Sequence, residues 1–158
     1  MSSNRALGTL MRHLIEHLDG SVERRYWSAG LAYKPRYTAI VRALLHLQKA
    51  SLREISQYAQ ITHSAVSQTV AQMRKAGLVE SVKVTDARQR VVRLSAKANR
   101  MLPELQSIWR ATNTAADRLD AELPFPLSSL LADTIAALEK RSFEERIRTV
   151  QTNARRSA

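Results

Sequence analysis

Apolar positions in the first thirty residues recur at helical spacing. Leu7, Leu10, Met11, Leu14, Ile15 and Leu18 form one broad stripe over Asn4 to Leu18. Asp19-Gly20-Ser21 interrupts it. Val22 to Ala29 then predicts a short helix carrying Tyr26 and Trp27 and ended by Gly30. Pro35 suits the first turn of the next helix, which Ile40, Val41, Leu44 and Leu45 carry to about Gln48.

The middle of the chain changes rhythm. Ser51 can cap a helix and Glu54, three residues on, can reach back to it, the spacing of a capping box. Leu52, Ile55 and Ala59 share one side of that helix. A second start at Thr62 leads into Val66, Val70 and Met73, again at helical spacing, and Gly77 is a good terminator. Two short helices joined by a few residues predict a helix-turn-helix. The pattern then becomes Val-rich. Leu78 to Val84 and Arg90 to Leu94 predict two strands around a turn at Thr85 to Gln89, which makes a hairpin wing.

From Ser95 a long helix is predicted, its seam made of Met101, Leu102, Leu105, Ile108, Trp109, Thr112, Ala116, Leu119 and Leu123. Pro103 either kinks it or marks the first turn of a new helix. Leu123-Pro124-Phe125-Pro126 is a stop, and Leu127 to Leu138 is another amphipathic helix. Ser142 and Glu145 repeat the capping-box spacing ahead of a last short helix, and the tail from Gln151 is polar. The fold class expected is mainly α with a small β-hairpin wing: a winged helix-turn-helix plus a helical lobe. The divisions expected are 1–33 for N-terminal helices of the lobe, 34–96 for the winged unit, 97–150 for C-terminal helices of the lobe and 151–158 for a flexible tail.

Charge changes this picture most. The formal net charge is +11. Residues 34–100 hold 13 Lys/Arg against 3 Asp/Glu, whereas residues 1–33 hold 4 against 3 and residues 101–158 hold 8 against 8. Nearly all the excess therefore sits on the helix-turn-helix and wing, which points to a polyanionic partner. With 158 residues the chain can bury a core without a disulfide or metal, and it has no Cys. That absence excludes thiol catalysis and Cys-based zinc sites and suits a reducing cytoplasm, the expected location. No apolar run reaches the ~20 residues of a membrane span, and no apolar stretch of the kind found in secretory signals follows Met1 to Arg5.

With Val66, Val70 and Met73 turned inward, the second helix of the pair turns Ser64, Ser67, Gln68, Ala71, Gln72 and Lys75 outward. This face is short-chained and uncharged in its first two turns. Amides and hydroxyls suit base edges: Gln can pair with adenine, Ser donates or accepts, and Ala can meet a thymine methyl. Arg74 and Lys75 come late, where a helix leaving the groove meets phosphate. His63, near the start, is placed to donate to a phosphate or base, or is simply exposed. Thr62 is assigned as a cap. In the wing, Arg88 at the tip and Arg90 suit a narrow minor groove, while Asp86 shapes the turn or orients Arg88. The apolar stripes of the terminal helices fit either a private bundle or pairing with a second copy. Pairing is the favoured reading, because a dimer doubles the phosphate contacts and spaces two reading helices by one or more DNA turns.

Three stretches together resemble the MarR family of bacterial winged-helix transcription regulators. They are Ser51-Leu52-Arg53-Glu54-Ile55, Thr62 to Val79 with its Lys75-Ala76-Gly77-Leu78-Val79 exit, and Asp86-Ala87-Arg88 followed after five residues by Leu94-Ser95. The match spans about residues 35–102. Ser95 stands where that family usually has Thr, Ala98 where it often has Gly, and Gln60 where Gly is common. The resemblance implies a homodimer with intertwined terminal helices, bound to a pseudo-palindrome in double-stranded DNA. It implies a small-molecule effector cavity between the lobes, which Trp27, Tyr33, Tyr37 and Trp109 would line.

Other function classes fare worse. No phosphate-binding Gly-rich loop, Cys nucleophile or Ser/His/Asp arrangement occurs, so no enzyme and no cofactor are expected. His13 and His17 stand at i and i+4 and could share an ion with Glu16, Asp19 or His46, but the favoured reading is two polar residues flanking the apolar stripe, and no metal is expected. The remaining alternative is a winged helix that coats DNA without sequence preference or contacts protein. The expected function is a repressor-type DNA-binding regulator.

Overall fold

The N-terminal apolar stripe folds as one long helix, not two. In this computed structural model, which describes residues 6–83 and 90–156, α1 (Leu7–Ser28) runs straight through Asp19-Gly20-Ser21. A single glycine costs a helix only about 1 kcal/mol. Ser21 also stays in register, its hydroxyl donating to the His17 carbonyl at 2.8 Å. The expected break at Gly20 is therefore corrected to a helix interior, and the helix ends only before Gly30, at φ +70°.

The chain divides into two compact units, Met1–Arg110 and Ala111–Ala158, the boundary falling within a long helix. In the first unit, Pro35–Tyr37 forms a 3-10 turn whose proline pre-sets the backbone ahead of α2 (Thr38–Leu47). A short strand, β1 (Lys49–Ser51), was not expected from the pattern; three residues are too few to alternate visibly. Then come α3 (Leu52–Ala59), α4 (His63–Lys75), β2 (Val79–Val82), β3 (Val91–Leu94) and α5 (Ala96–Glu122). The strands form an antiparallel sheet in the order β1-β3-β2, with Ala50 opposite Val92 and Glu80 opposite Arg93. The expected mainly α fold with a β-hairpin wing is what the chain adopts. The segment 84–89, on which the expected turn with Asp86 and Arg88 falls, lies outside the described residues.

The core of this unit is built from the inner faces of these elements. Ile40, Val41, Ala43 and Leu44 of α2, Leu52 and Ile55 of α3, Val66, Val70 and Met73 of α4, and Leu78, Val79, Val92 and Leu94 of the wing are buried in one cluster. Fully burying a side chain such as Ile55 contributes about 1.5–3 kcal/mol, so this cluster fixes α3 against α4. Leu105, Ile108 and Trp109 add the first half of α5. Pro103 sits inside α5, which passes through it as one helix.

The second unit holds the end of α5, α6 (Leu127–Lys140) and α7 (Phe143–Arg156). Asp120 caps α6 from the preceding helix, accepting from the Leu127 and Ser128 N–H groups at 2.9 and 3.3 Å. The expected Ser142–Glu145 box is present: Glu145 N–H donates to Ser142 Oγ at 3.2 Å and Ser142 N–H to Glu145 Oε2 at 3.0 Å. The helix it opens is longer than expected and continues past Gln151, where a frayed tail was expected. No residue of α6 is buried, and Leu130, Leu131, Ile135 and Leu138 all face outward.

Candidate nucleic-acid interface

Local chemistry positions α3 before any tertiary contact does. The Ser51 N–H and hydroxyl both donate to Glu54 Oε2 at 2.7 Å, and the Glu54 N–H donates back to Ser51 Oγ at 3.3 Å. The Ser51 backbone N–H, aided by its hydroxyl, holds the Glu54 carboxyl below the usual range. The acid is thus ionised and committed to its cap. At the far end of α3, Gln60 adopts the left-handed conformation, φ 53°, and its N–H donates to the Ser56 carbonyl. The Ser56 hydroxyl donates to the Ile61 carbonyl at 2.6 Å, which closes the turn into α4.

α4 begins as expected, with Thr62 Oγ1 accepting from the Ala65 N–H at 3.2 Å. Its first turn carries no acid, so the positive end of the helix dipole is unopposed there; Arg74 and Lys75 complement the other end. Val66, Val70 and Met73 are buried, and His63, Ser64, Gln68, Ala71, Arg74 and Lys75 are exposed. Ser67 is half-buried. Gln72 departs from the expected outward face: it too is half-buried, and its Oε1 is enclosed with no hydrogen-bond partner among the described residues. The helix period puts Gln72 near the boundary between faces, and packing draws its amide oxygen inward.

Three of the residues expected at the interface, His63, Ser67 and Arg90, line one groove, whereas Ser64, Gln68, Gln72, Arg74 and Lys75 do not. Ser51, Leu52, Arg53, Glu54, His63, Ser67 and Arg90 line a cavity of about 540 Å³ between the start of α3, the start of α4 and the base of the wing. His63, Ser67 and Arg90 were expected there. Arg53 is an addition, since in the sequence it stands only inside the capping box. The signal that could have found it is topological, since the first helix of such a pair crosses the phosphate backbone. With Glu54 tied to Ser51, Arg53 and Arg90 give this groove a positive character. Arg93, on the same strand as the end of the wing, is instead paired across the sheet with Glu80 at 2.7 Å.

The wing is pinned to the helices at its other end. Ser95 Oγ donates to the Gly77 carbonyl at 2.6 Å and accepts from the Ala98 N–H at 3.1 Å.

The expected effector residues divide. Tyr33, Tyr37 and Trp109 are buried, and Tyr26 joins them. Tyr33 meets Tyr26 and Tyr37 edge-on, with centroids 4.8 and 5.5 Å away. Trp109 Nε1 donates to Tyr26 Oη at 3.0 Å, and the Tyr33 hydroxyl donates to Thr38 Oγ1 at 3.4 Å. Burial pushes the Tyr33 phenol far above its ordinary value, against the opposing effect of the Thr38 hydrogen bond. The Arg42 guanidinium lies 5.3 Å over the Trp109 ring. Trp27, by contrast, is 83% exposed. It stands beside Tyr26 in sequence, and the helix step of 100° turns it away from the cluster.

Residues 33–90 match the family model described as the MarR family. The resemblance read from the sequence therefore holds over this segment, which carries α2 to α4 and β2. Solved structures agree in fold across most of the chain. The M. tuberculosis transcriptional regulator MOSR in complex with DNA is 18% identical, with a TM-score of 0.67, over 88% of this chain and 100% of that one. The PcaV transcriptional regulator from Streptomyces coelicolor, in complex with its natural ligand, is 19% identical, with a TM-score of 0.59, over 89% and 99%. NadR in complex with 4-hydroxyphenylacetate is 20% identical, with a TM-score of 0.56, over 90% and 98%. No curated protein sequence matches the chain.

Proposed function

We propose that this MarR-type chain is a sequence-specific, double-stranded DNA-binding transcription regulator that acts as a homodimer on a pseudo-palindromic operator, in the manner of a repressor. The observation that carries the reading is the joining of a short, uncharged outward face on α4 to a cationic groove. Ser64, Gln68 and Ala71 offer groups of the kind that read base edges, while Arg53, His63, Arg90, Arg74 and Lys75 grip phosphate on either side. In this reading Arg88 adds a minor-groove contact and Asp86 shapes its turn or orients it, both lying outside the described residues. Gln72, drawn inward, contributes less than its spacing suggests.

The exposed apolar faces support self-association. Leu7, Leu10, Met11, Ile15 and Leu18 on α1 are all exposed, as are Leu130, Leu131, Ile135 and Leu138 on α6. Uncovered rows of this kind mark docking surfaces, and a second copy supplies matching faces. The lobe divisions 1–33, 34–96 and 97–150 follow from this reading. No helix among the described residues is long and apolar enough to cross a membrane. Control by a small effector attaches to Tyr33, Tyr37 and Trp109; Trp27 takes no part in it. Catalysis and a cofactor have no place in this account.

The experiment is titration of a labelled duplex across ionic strength. A regulator of this kind loses affinity steeply with salt, with a slope set by the number of phosphates contacted. It also prefers its own site over random duplex by about 10³-fold or more. Equal affinity for every sequence would favour a DNA-coating protein instead.

A further inference from the structure

His13 and His17 stand one turn apart on α1, and their rings meet. Nε2 of His17 lies 3.2 Å from Nε2 of His13. The ring centroids are 4.5 Å apart, with the planes at 83°. Both side chains are exposed. The contact therefore is not forced by packing against a core. It brings together the two outermost nitrogens, the atoms best placed to reach an ion from solvent. In a neutral pair one Nε2–H donates to the other's lone pair, so that lone pair already points into the space between the rings.

That separation is close to the bite of a chelate. Zinc holds imidazole nitrogens at about 2.0–2.1 Å, so two of them in a tetrahedral shell stand about 3.3–3.4 Å apart. To bind an ion, both rings turn so that their Nε2 lone pairs converge off the N···N line, which two exposed side chains are free to do. We propose that His13 and His17 form a two-histidine site for a divalent transition ion of the zinc, nickel and copper class. Imidazole suits these ions, whereas magnesium and calcium prefer oxygen donors.

The chemistry balances without any co-reactant. The donor ring moves its proton from Nε2 to Nδ1 as the ion takes the freed lone pair, so both rings bind neutral. Among the described residues no group of three or more His, Cys, Asp or Glu converges. The remaining positions of the shell are therefore filled by water, or by the same pair on a second copy. Arg24, about two turns further along α1, is anchored to the same helix, its guanidinium donating to Ser21 Oγ at 3.1 Å. Spacing alone favours two polar residues beside the apolar stripe; the Nε2 contact is what favours the ion. Because the pair flanks that stripe, a bound ion clamps the turn of α1 next to the surface assigned to self-association.

The test is equilibrium dialysis of the untagged full chain against zinc and nickel, with magnesium as the control, followed by the cobalt absorption spectrum. The expected result is uptake of one zinc or nickel per chain, or one per two chains where two copies share it, with no magnesium bound. His13→Gln and His17→Ala should each weaken uptake at least tenfold, and His46→Ala should leave it unchanged. Ion should also raise the unfolding temperature of the parent chain but not of His17→Ala. Absence of zinc and nickel uptake, or equal uptake by the parent and His17→Ala, would overturn the proposal.

Discussion

Ser95 and Gly77, 18 residues apart in sequence, are joined by a 2.6 Å hydrogen bond from the Ser95 hydroxyl to the Gly77 carbonyl. The same oxygen accepts from the Ala98 N–H. One side chain thus ties the exit of α4 to the start of α5, and the Ser95 N–H adds a bond to the Leu78 carbonyl at 3.0 Å. Only the hydroxyl of Ser95 is used in these two side-chain bonds.

Ser95→Ala removes a cap and leaves the Gly77 carbonyl without this donor. Loss of a helix cap together with a hydrogen bond should cost about 1–3 kcal/mol. Urea unfolding measures it. Ser95→Thr should retain most of the stability, since it keeps the hydroxyl.

The two turns that bracket α4 should respond in opposite directions to exchange of glycine. Gln60 holds φ 53° and Gly77 holds φ 71°. The left-handed region costs an L side chain roughly 1–2 kcal/mol. Gln60→Gly should raise stability by up to about 1 kcal/mol, the balance being lost to the freer unfolded chain. Gly77→Ala should lower it by about 1 kcal/mol. A Cβ there meets only Lys97 Cδ, at 3.8 Å, so the penalty comes from backbone conformation and not from a clash.

The aromatic cluster predicts an alkaline limit to stability. Burial raises the Tyr33 pKa in the folded state, above the unfolded value of 10.0. A phenol is neutral when protonated, so the folded state holds the proton more tightly. Its contribution is complete below pH 10 and is lost as pH climbs from there toward the raised folded value. The midpoint of thermal unfolding, followed from pH 8 upward, should fall above pH 10 in the parent chain. Tyr33→Phe should fall less steeply.

The acid side has the opposite sign. The Glu54 carboxyl is held below its ordinary value of 4.5 by the Ser51 backbone N–H and then by the Ser51 hydroxyl. The capping box is fully present above that value and is lost as pH falls through the lowered one. Glu54→Gln should flatten the acid limb of the unfolding curve. The change should be small, because the group is exposed and solvent screens it.

On DNA, Gln68→Ala should relax preference at one or two base positions with little effect on random duplex. Arg53→Ala and Arg90→Ala should weaken binding to every sequence and lower the salt slope by about one each. Competition binding with matched and mismatched duplexes separates the two behaviours.

Much of this was legible before any coordinates. Val66, Val70 and Met73 at helical spacing placed the inner face of α4, and Ser51 with Glu54 fixed the start of α3, because both signals are local. What was not legible depended on energies the pattern does not carry. Gly20 costs too little to break a helix whose neighbours all favour it. β1 is too short to show a period and exists only because β3 offers it a partner. The inward turn of Gln72 and the exposure of Trp27 are set by tertiary packing, and Arg53 joined the groove only when α3, α4 and the wing were folded together.

The proposed function requires the outward face of α4 to read duplex sequence. Selection of bound sequences from a random double-stranded pool tests it most directly. The account predicts enrichment of one motif with two inverted half-sites, their centres about 34–36 Å apart or a multiple of that spacing, and loss of preference within each half-site for Gln68→Ala. A pool that emerges unenriched, or the same motif recovered unchanged with Ser64, Ser67 and Gln68 all replaced by alanine, would contradict it.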